Sequence, residues 1–145
     1  MRIRSYLPHH VLSNEELSEL FPEWTPKKIE KKLGVRERRI SAPDETALDM
    51  AGKACERLFD NFDRSIIDFV LLCTQSPDYF LPTSACILQD RLGLRTEIGA
   101  LDFNLGCSGY VYGLSLAKGL LSASIAENVL LVVSETYSKH IHPRD

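Results

Sequence analysis

The sequence predicts an α/β fold built around a mostly parallel central sheet. Two segments, 66–73 and 128–134, are nearly continuous apolar runs, as in strands that are covered on both faces. Helical segments alternate with these runs, which is typical of right-handed strand–helix–strand crossovers. The chain has 145 residues, of which 44% are hydrophobic and 26% are charged. It is therefore too apolar for disorder and fits one domain, residues 1–145, or a piece of a larger one.

The first segments carry clear signals for helix ends. Ser13-Asn-Glu-Glu16 is a capping box. Thr25-Pro26 starts a second helix, and Gly34 ends it. Four lysines lie within 27–32, and two interpretations stay open for them: a solvated helix surface or a patch that faces phosphate. Segment 34–40 is predicted as an exposed, charged strand or turn.

The rest of the chain alternates between helices and strands. Thr46 starts a third helix, and a strand is predicted at 66–73. The polar and aromatic segment 74–82 is predicted as a loop at the carboxyl end of that strand. A fourth helix over 83–92 ends at Gly93.

Two further strands flank the last predicted helix. The strands are predicted at 98–105 and 128–135, and the fifth helix at 108–122. The tail, 136–145, is predicted as a loop.

Composition and charge exclude several classes of function. The net charge is −3 and the isoelectric point is about 5.8, so no basic surface indicates nucleic acid or an anionic membrane as a partner. The longest apolar stretch has five residues, far fewer than a membrane span requires. The first residues lack the apolar core of a signal peptide. The expected compartment is therefore the cytoplasm.

The chain contains four cysteines, separated by 18, 13 and 21 residues. No C-x-x-C pair is present, so neither a zinc site nor another metal site is predicted. A disulfide framework is not expected in a chain with no secretion signal. Cys55 and Cys73 lie in apolar stripes and are predicted to pack in the core, whereas Cys86 stays ambiguous.

Cys107 is the thiol with a chemical reason to be reactive. It lies where a predicted strand ends and a helix begins, so the unpaired N–H groups of the helix favour its thiolate form. The same amides can stabilise the oxyanion of an acyl transfer, and carboxyl ends of parallel strands are where α/β sheets bind ligands. Gly106 and Gly109 allow a sharp turn. The alternative, a packed turn cysteine, stays open at this point.

Small residues also recur along the fifth helix. Gly109, Gly113 and Ala117 follow one another at intervals of four. This spacing predicts a buried helix that lies close to the backbone of another helix.

Three segments together resemble one known family. They are 5–17, which contains Ser-Tyr-Leu-Pro and Asn-Glu-Glu-Leu; 34–46, which reads Gly-Val-Arg-Glu-Arg-Arg-Ile-Ser-Ala-Pro-Asp-Glu-Thr; and 102–114, which reads Asp-Phe-Asn-Leu-Gly-Cys-Ser-Gly-Tyr-Val-Tyr-Gly-Leu. The chain resembles the amino-terminal half of β-ketoacyl-acyl-carrier-protein synthase III, a condensing enzyme. The resemblance implies a thiolase-like layered fold, of which these residues are one half of a duplicated α-β-α-β-α architecture.

The resemblance also implies a reaction. Cys107 takes an acyl group from acyl-coenzyme A, and a decarboxylated malonyl-acyl-carrier protein then attacks this thioester in a Claisen condensation, as in fatty-acid biosynthesis. Coenzyme A is a substrate here, and no cofactor is implied. In the family, a His and an Asn from the second half assist decarboxylation, so this fragment alone is expected not to condense. Surface or loop positions are predicted for the four histidines of the chain, His9, His10, His140 and His142.

Two departures from the family pattern concern substrate binding. Lys28 and Lys32 stand where relatives place a Trp and an Arg for coenzyme A, and Trp24 lies a turn earlier. The resemblance therefore implies that the lysines contact the phosphates of the nucleotide as point charges. Leu81-Pro82 replaces the usual Phe-Pro of the loop that closes the partner subunit's acyl pocket. The smaller side chain implies a primer longer or more branched than acetyl. The loop itself implies a homodimer, because in the family it crosses the subunit interface.

Other functions stay open. Acyl transfer in the manner of hydroxymethylglutaryl-coenzyme A synthase, or transfer to an alcohol or amine, keeps Cys107 and changes the acceptor. A non-catalytic, dimerising scaffold leaves Cys107 as a packed residue. A redox-sensing thiol has no resolving cysteine nearby in the sequence and ranks last.

Overall fold

The computed structural model describes residues 1–141 and divides the chain into two compact units. One unit is formed by residues 7–45, and the other by residues 1–6 together with residues from 46 onward. Among the described residues, no helix is both long enough and apolar enough to cross a bilayer.

The unit of residues 7–45 contains two strands and two helices. They are β1 (His10–Ser13), α1 (Asn14–Leu20), α2 (Pro26–Leu33) and β2 (Glu37–Ile40). The two strands pair in antiparallel fashion, with His10 opposite Ile40. Asn14 is buried, and its side chain donates to the Val35 carbonyl at 2.8 Å and accepts from Arg38 at 2.8 Å. These bonds connect the start of α1 to β2.

Both helix starts in this unit follow the local signals. The Ser13 hydroxyl accepts from the Glu16 amide, and the Glu16 carboxylate accepts from the Ser13 amide, so the capping box is confirmed. Pro26 is the first residue of α2, where no N–H is needed. Gly34 ends the helix in the left-handed conformation, with φ of 69°. The strand β1 was not predicted, because its pairing with β2 is invisible to local patterns.

The second unit contains the central sheet. Its elements are α3 (Ala47–Phe59), β3 (Phe69–Cys73), α4 (Ser84–Arg91), β4 (Gly99–Phe103), α5 (Gly109–Ser122), β5 (Val129–Val133) and two one-turn 3-10 helices, Arg64–Ile66 and Tyr137–Lys139. The strands are parallel and lie in the order β4-β3-β5. The predicted α/β class with a parallel sheet is confirmed.

The strand order places α4 and α5 on opposite faces of the sheet. The strand β4 lies on one side of β3, and β5 lies on the other side. Because both strand–helix–strand connections are right-handed, the helix between β3 and β4 and the helix between β4 and β5 cover opposite faces of the sheet. The first face carries the core, which is built from α3, α4 and alternate strand residues. Its fully buried members include Val70, Leu72, Ala85 and Leu88.

The stripe of small residues on α5 faces the sheet. A Cβ placed on Gly113 would lie 2.6 Å from Leu131 Cδ1 and 3.0 Å from Phe103 Cζ, and a Cβ on Gly109 would collide with Cys73 Sγ. The small residues therefore bring the helix close to β3, β4 and β5. The prediction that they face another helix was wrong, because they face the sheet. The predicted close approach to a neighbouring element is confirmed.

Candidate active site

Cys107 lies in the turn that joins β4 to α5. The strand ends at Phe103, the helix begins at Gly109, and the Gly109 amide donates to the Gly106 carbonyl at 2.8 Å to close the turn. The Cys107 side chain is exposed. Ser108 precedes the helix and makes no side-chain capping bond. Ser108 thus supplies no side-chain acceptor to the first N–H groups of α5, and Cys107 stands two residues before the positive end of this helix.

Two glycines let this turn fit against the end of β3. A Cβ on Gly106 would lie 2.8 Å from Gln75 Oε1, closer than such contacts occur, and a Cβ on Gly109 would overlap Cys73 Sγ. A side chain at Gly109 would push the turn away from the sheet, because Cys73 is buried, whereas a side chain at Gly106 would displace the exposed Gln75 carboxamide. The close contact at Gly109 thus holds the turn that exposes Cys107 against the end of β3.

The four thiols have different surroundings. Cys55 and Cys73 are buried, as predicted, whereas Cys86 and Cys107 are exposed. Burial raises the pKa of Cys55 to about 12. Burial also raises the pKa of Cys73, whose Sγ donates to the Leu105 carbonyl at 3.1 Å and so holds the end of β4. These two buried thiols remain protonated at neutral pH and act as packing groups.

A polar network joins the carboxyl ends of the three strands. The Glu135 carboxylate follows β5 and accepts from the Gln75 amide at 2.6 Å and from the Ser76 hydroxyl at 2.8 Å. The Thr74 amide donates to the Phe103 carbonyl at 3.3 Å, which connects β3 to β4. The residues that follow β3 and β4, and with them Cys107, are thereby held at one edge of the sheet.

Leu81 lies in the loop between β3 and α4. Its side chain is 73% exposed, and its peptide bond to Pro82 is cis. The loop is anchored where α4 begins, since the Asp102 carboxylate on β4 accepts from the amides of Ser84 and Ala85 at 2.6 and 2.5 Å. Leu81 and Cys107 thus belong to the same unit and to adjacent strand ends.

A second anchor holds the middle of this loop. Asp78 is largely buried, and its Oδ2 accepts from the Thr46 hydroxyl at 2.9 Å. Its other oxygen, like the Ser84 hydroxyl, is buried without a hydrogen-bond partner among the described residues.

Lys28 and Lys32 lie on α2, in the unit of residues 7–45. Their ammonium groups stand 4.4 and 5.2 Å from the centre of the Trp24 ring, and both lysine side chains are exposed. The Lys28 ammonium also donates to the Glu23 carbonyl at 2.9 Å. The ring and the two cations therefore form one positively charged surface group.

The histidines that the structure describes are all exposed, namely His9, His10 and His140; His142 lies outside the described residues. Within residues 1–141, no group of three His, Cys, Asp or Glu side chains could hold a metal ion.

Comparison with known proteins accounts for this arrangement. Residues 101–145 match the family model 3-oxoacyl-[acyl-carrier-protein] synthase III. The chain is 37% identical over 142 residues to β-ketoacyl-[acyl-carrier-protein] synthase III 2 of Halalkalibacterium halodurans, covering 94% of this chain and 41% of that protein. A crystal structure of a 3-oxoacyl-(acyl-carrier-protein) synthase III shares 57% identity and superposes with a TM-score of 0.96, covering 99% of this chain and 43% of that one.

Over nearly its whole length, this chain is similar to the amino-terminal part of β-ketoacyl-acyl-carrier-protein synthase III. It spans about two fifths of the length of these synthase III relatives, and the predicted resemblance to their amino-terminal part is confirmed. AbyA1, a tetronic acid condensing enzyme, is also similar, with 25% identity, a TM-score of 0.82 and coverage of 98% of this chain and 45% of that one.

Three polar residues at this edge of the sheet were not predicted from the sequence. They are Gln75, Asp102 and Glu135, which cap a helix or join the ends of the strands. Gln75 and Glu135 come within two residues of the ends of predicted strands, and that position is the signal that could have found them.

Proposed function

We propose that this chain carries the nucleophile of a condensing enzyme that extends an acyl primer by decarboxylative Claisen condensation, in fatty-acid biosynthesis or a related pathway. The observation that carries the proposal is the position of Cys107. It is exposed, it precedes α5, and it lies where the connections after β3 and β4 leave toward opposite faces of the sheet. Such a switch point is where open α/β sheets bind ligands.

The first step is acyl transfer to Cys107. The thiolate attacks the carbonyl carbon of acyl-coenzyme A, a new sulfur–carbon bond forms, and coenzyme A leaves as its thiolate. Amides at the start of α5, including that of Cys107, stabilise the negative oxygen of the tetrahedral intermediate. The exposed turn provides the access that this attack requires.

The second step is condensation. The malonyl group on the acyl-carrier protein loses carbon dioxide, and the resulting carbanion attacks the acyl carbon on Cys107, which releases the thiolate and forms a β-ketoacyl product. The chain spans 41% to 45% of the length of the relatives described above, so this step is proposed for the longer protein. From residues 1–145 alone we expect the acyl-enzyme but no condensation.

The remaining site residues are proposed to bind substrate. Leu81 forms part of an acyl pocket across a homodimer interface, where a smaller side chain than Phe admits a longer or branched primer. Lys28 and Lys32 attract the phosphates of coenzyme A, and their exposed ammonium groups support this role. The protein is proposed to act in the cytoplasm, with no nucleic acid or membrane as partner and no metal or cofactor.

Mass spectrometry of the intact chain tests the proposal. After incubation with acyl-coenzyme A, we expect one added acyl group, located by peptide mapping at Cys107. Cys107→Ala abolishes this adduct, whereas Cys86→Ala, which removes the other exposed thiol, retains it. Acylation of Cys86 instead, or no adduct while iodoacetamide still labels Cys107, contradicts the proposal and favours a non-catalytic scaffold.

The similarity to AbyA1 favours a second candidate. That protein is a tetronic acid condensing enzyme, and acyl transfer to a different acceptor would use Cys107 in the same first step. Product analysis of the longer protein with malonyl-acyl-carrier protein separates the candidates. A β-ketoacyl product supports synthase III activity, while an acyl-enzyme that is discharged only by another acceptor supports the alternative.

A further inference from the structure

The carboxamide of Gln75 borders the turn that carries Cys107. Gln75 follows β3 by two residues, and its Oε1 lies where a side chain on Gly106 would stand, 2.8 Å from that Cβ position. Gly106 immediately precedes Cys107. Both Gln75 and Cys107 are exposed, and they follow the adjacent strands β3 and β4.

The backbone of Gln75 is firmly held, although its side chain is free. The Glu135 carboxylate accepts from the backbone amide of Gln75 at 2.6 Å and from the Ser76 hydroxyl at 2.8 Å. The backbone amide of Ser76 donates to the Thr74 hydroxyl at 3.0 Å. No hydrogen bond in the part of the chain that the structure describes engages the carboxamide. With Oε1 against the glycine, the Nε2 group remains as a free donor at the edge of the site.

We propose that Gln75 contacts the substrate, its carboxamide donating a hydrogen bond to the carbonyl oxygen of the thioester that acylates Cys107, and that Glu135 is the residue that positions it. This inference rests on the function proposed above. A carboxamide suits the place because it donates without carrying charge. A carboxylate there would repel the Cys107 thiolate and would offer no donor when ionised.

The rate of Cys107 acylation by subsaturating acyl-coenzyme A, measured on the intact full chain by mass spectrometry, tests the contact. Losing one neutral hydrogen bond to the reacting group lowers that rate about fivefold in Gln75→Ala. Gln89→Ala is the matched control. Gln89 lies on α4, and its carboxamide donates to the Arg95 carbonyl at 2.7 Å. We therefore expect this substitution to leave the acylation rate unchanged.

The variant Gln75→Glu provides a readout that a merely structural role would not change. At pH 8 the added carboxylate lies beside the turn that carries Cys107 and offers no donor to the thioester, and acylation falls about thirtyfold relative to the wild-type chain. The ratio of variant to wild-type rates recovers toward pH 5.5, because the protonated Glu again donates a hydrogen bond. A ratio that does not vary with pH overturns the contact.

Glu135→Ala removes the acceptor of the Gln75 backbone amide and of the Ser76 hydroxyl, and so loosens the backbone at Gln75. We expect slower acylation, and in the double variant with Gln75→Ala no further loss beyond that of Gln75→Ala alone. Additive losses overturn the positioning role.

Two outcomes keep this inference distinct from the proposed function. If the wild-type chain does not acylate, the proposed function fails. If it acylates and Gln75→Ala acylates at the same rate, only the role of Gln75 fails. Iodoacetamide alkylation of Cys107 at an unchanged rate in Gln75→Ala shows that the turn is intact and supports a contact to the acyl group.

Discussion

The two faces of the β4-β3-β5 sheet are covered in different ways. On the first face, long apolar side chains such as Leu72 and Leu88 fill the space between the sheet and the helices α3 and α4. On the second face, Gly109 and Gly113 bring the backbone of α5 directly onto the sheet. One face therefore gains its stability from buried side-chain area, and the other sets the distance between a helix and the strands.

The second face is also the one that carries the chemistry. The close contact fixes the first turn of α5, and Cys107 lies immediately before that turn. The outer side of α5 contributes little burial in this chain, since most of its apolar residues are at least 39% exposed: Tyr110, Val111, Tyr112, Leu114, Leu116 and Leu121. Stability and positioning are thus separated between the two faces, and substitutions on each face should have different effects.

The largest loss of stability is expected on the first face. Leu88 is fully buried between α4 and the sheet. Leu88→Ala removes apolar contacts and leaves a cavity, so we expect the free energy of unfolding to fall by about 3 kcal/mol. Urea denaturation followed by circular dichroism measures the change. A loss below about 1 kcal/mol would show that this face does not carry the core.

A smaller loss is expected from adding one methyl group on the second face. Gly113→Ala places a Cβ 2.6 Å from Leu131 Cδ1, so the helix must move outward. Overpacking costs about 1–3 kcal/mol, and the better helix propensity of Ala returns about 1 kcal/mol, which leaves a net loss of about 1 kcal/mol in urea denaturation.

Gly119→Ala is the matched control on the same helix. No atom lies within 4 Å of the Cβ position at Gly119. The substitution is therefore expected to stabilise the chain by about 0.5–1 kcal/mol through helix propensity alone. Equal effects at Gly113 and Gly119 would show that the close contact with the sheet does not exist.

Local signals were sufficient for most of the fold. Pro26 and Gly34 mark the ends of α2, and the apolar run of β3 correctly indicated a strand that is buried on both faces. The turn at Cys107 was predicted for the same reason, since a strand followed by glycines and a helix is a local pattern. Element ends differed by a few residues because the chain enters the sheet one to three residues later than its apolar run begins.

Contacts that depend on strand order could not be predicted. The spacing of Gly109 and Gly113 required a close neighbour but did not say whether a helix or a sheet provides it. Gln75 and Glu135 are 60 positions apart and meet because β3 and β5 are adjacent in the sheet. Whether such residues meet is decided by topology, which no single segment of the sequence contains.

The smallest effect is expected on the outer side of α5, and it repeats the chemistry of Leu88→Ala in a different environment. Leu116 is 42% exposed. Because its side chain already contacts water, Leu116→Ala in this chain should cost less than about 1 kcal/mol in urea denaturation. The two substitutions remove the same side-chain atoms, from a buried position on α4 and from a partly exposed position on α5. A loss as large as that of Leu88→Ala would mean that the outer side of α5 is covered in solution, for example by a second copy of the chain, and a concentration-dependent midpoint would identify that cover.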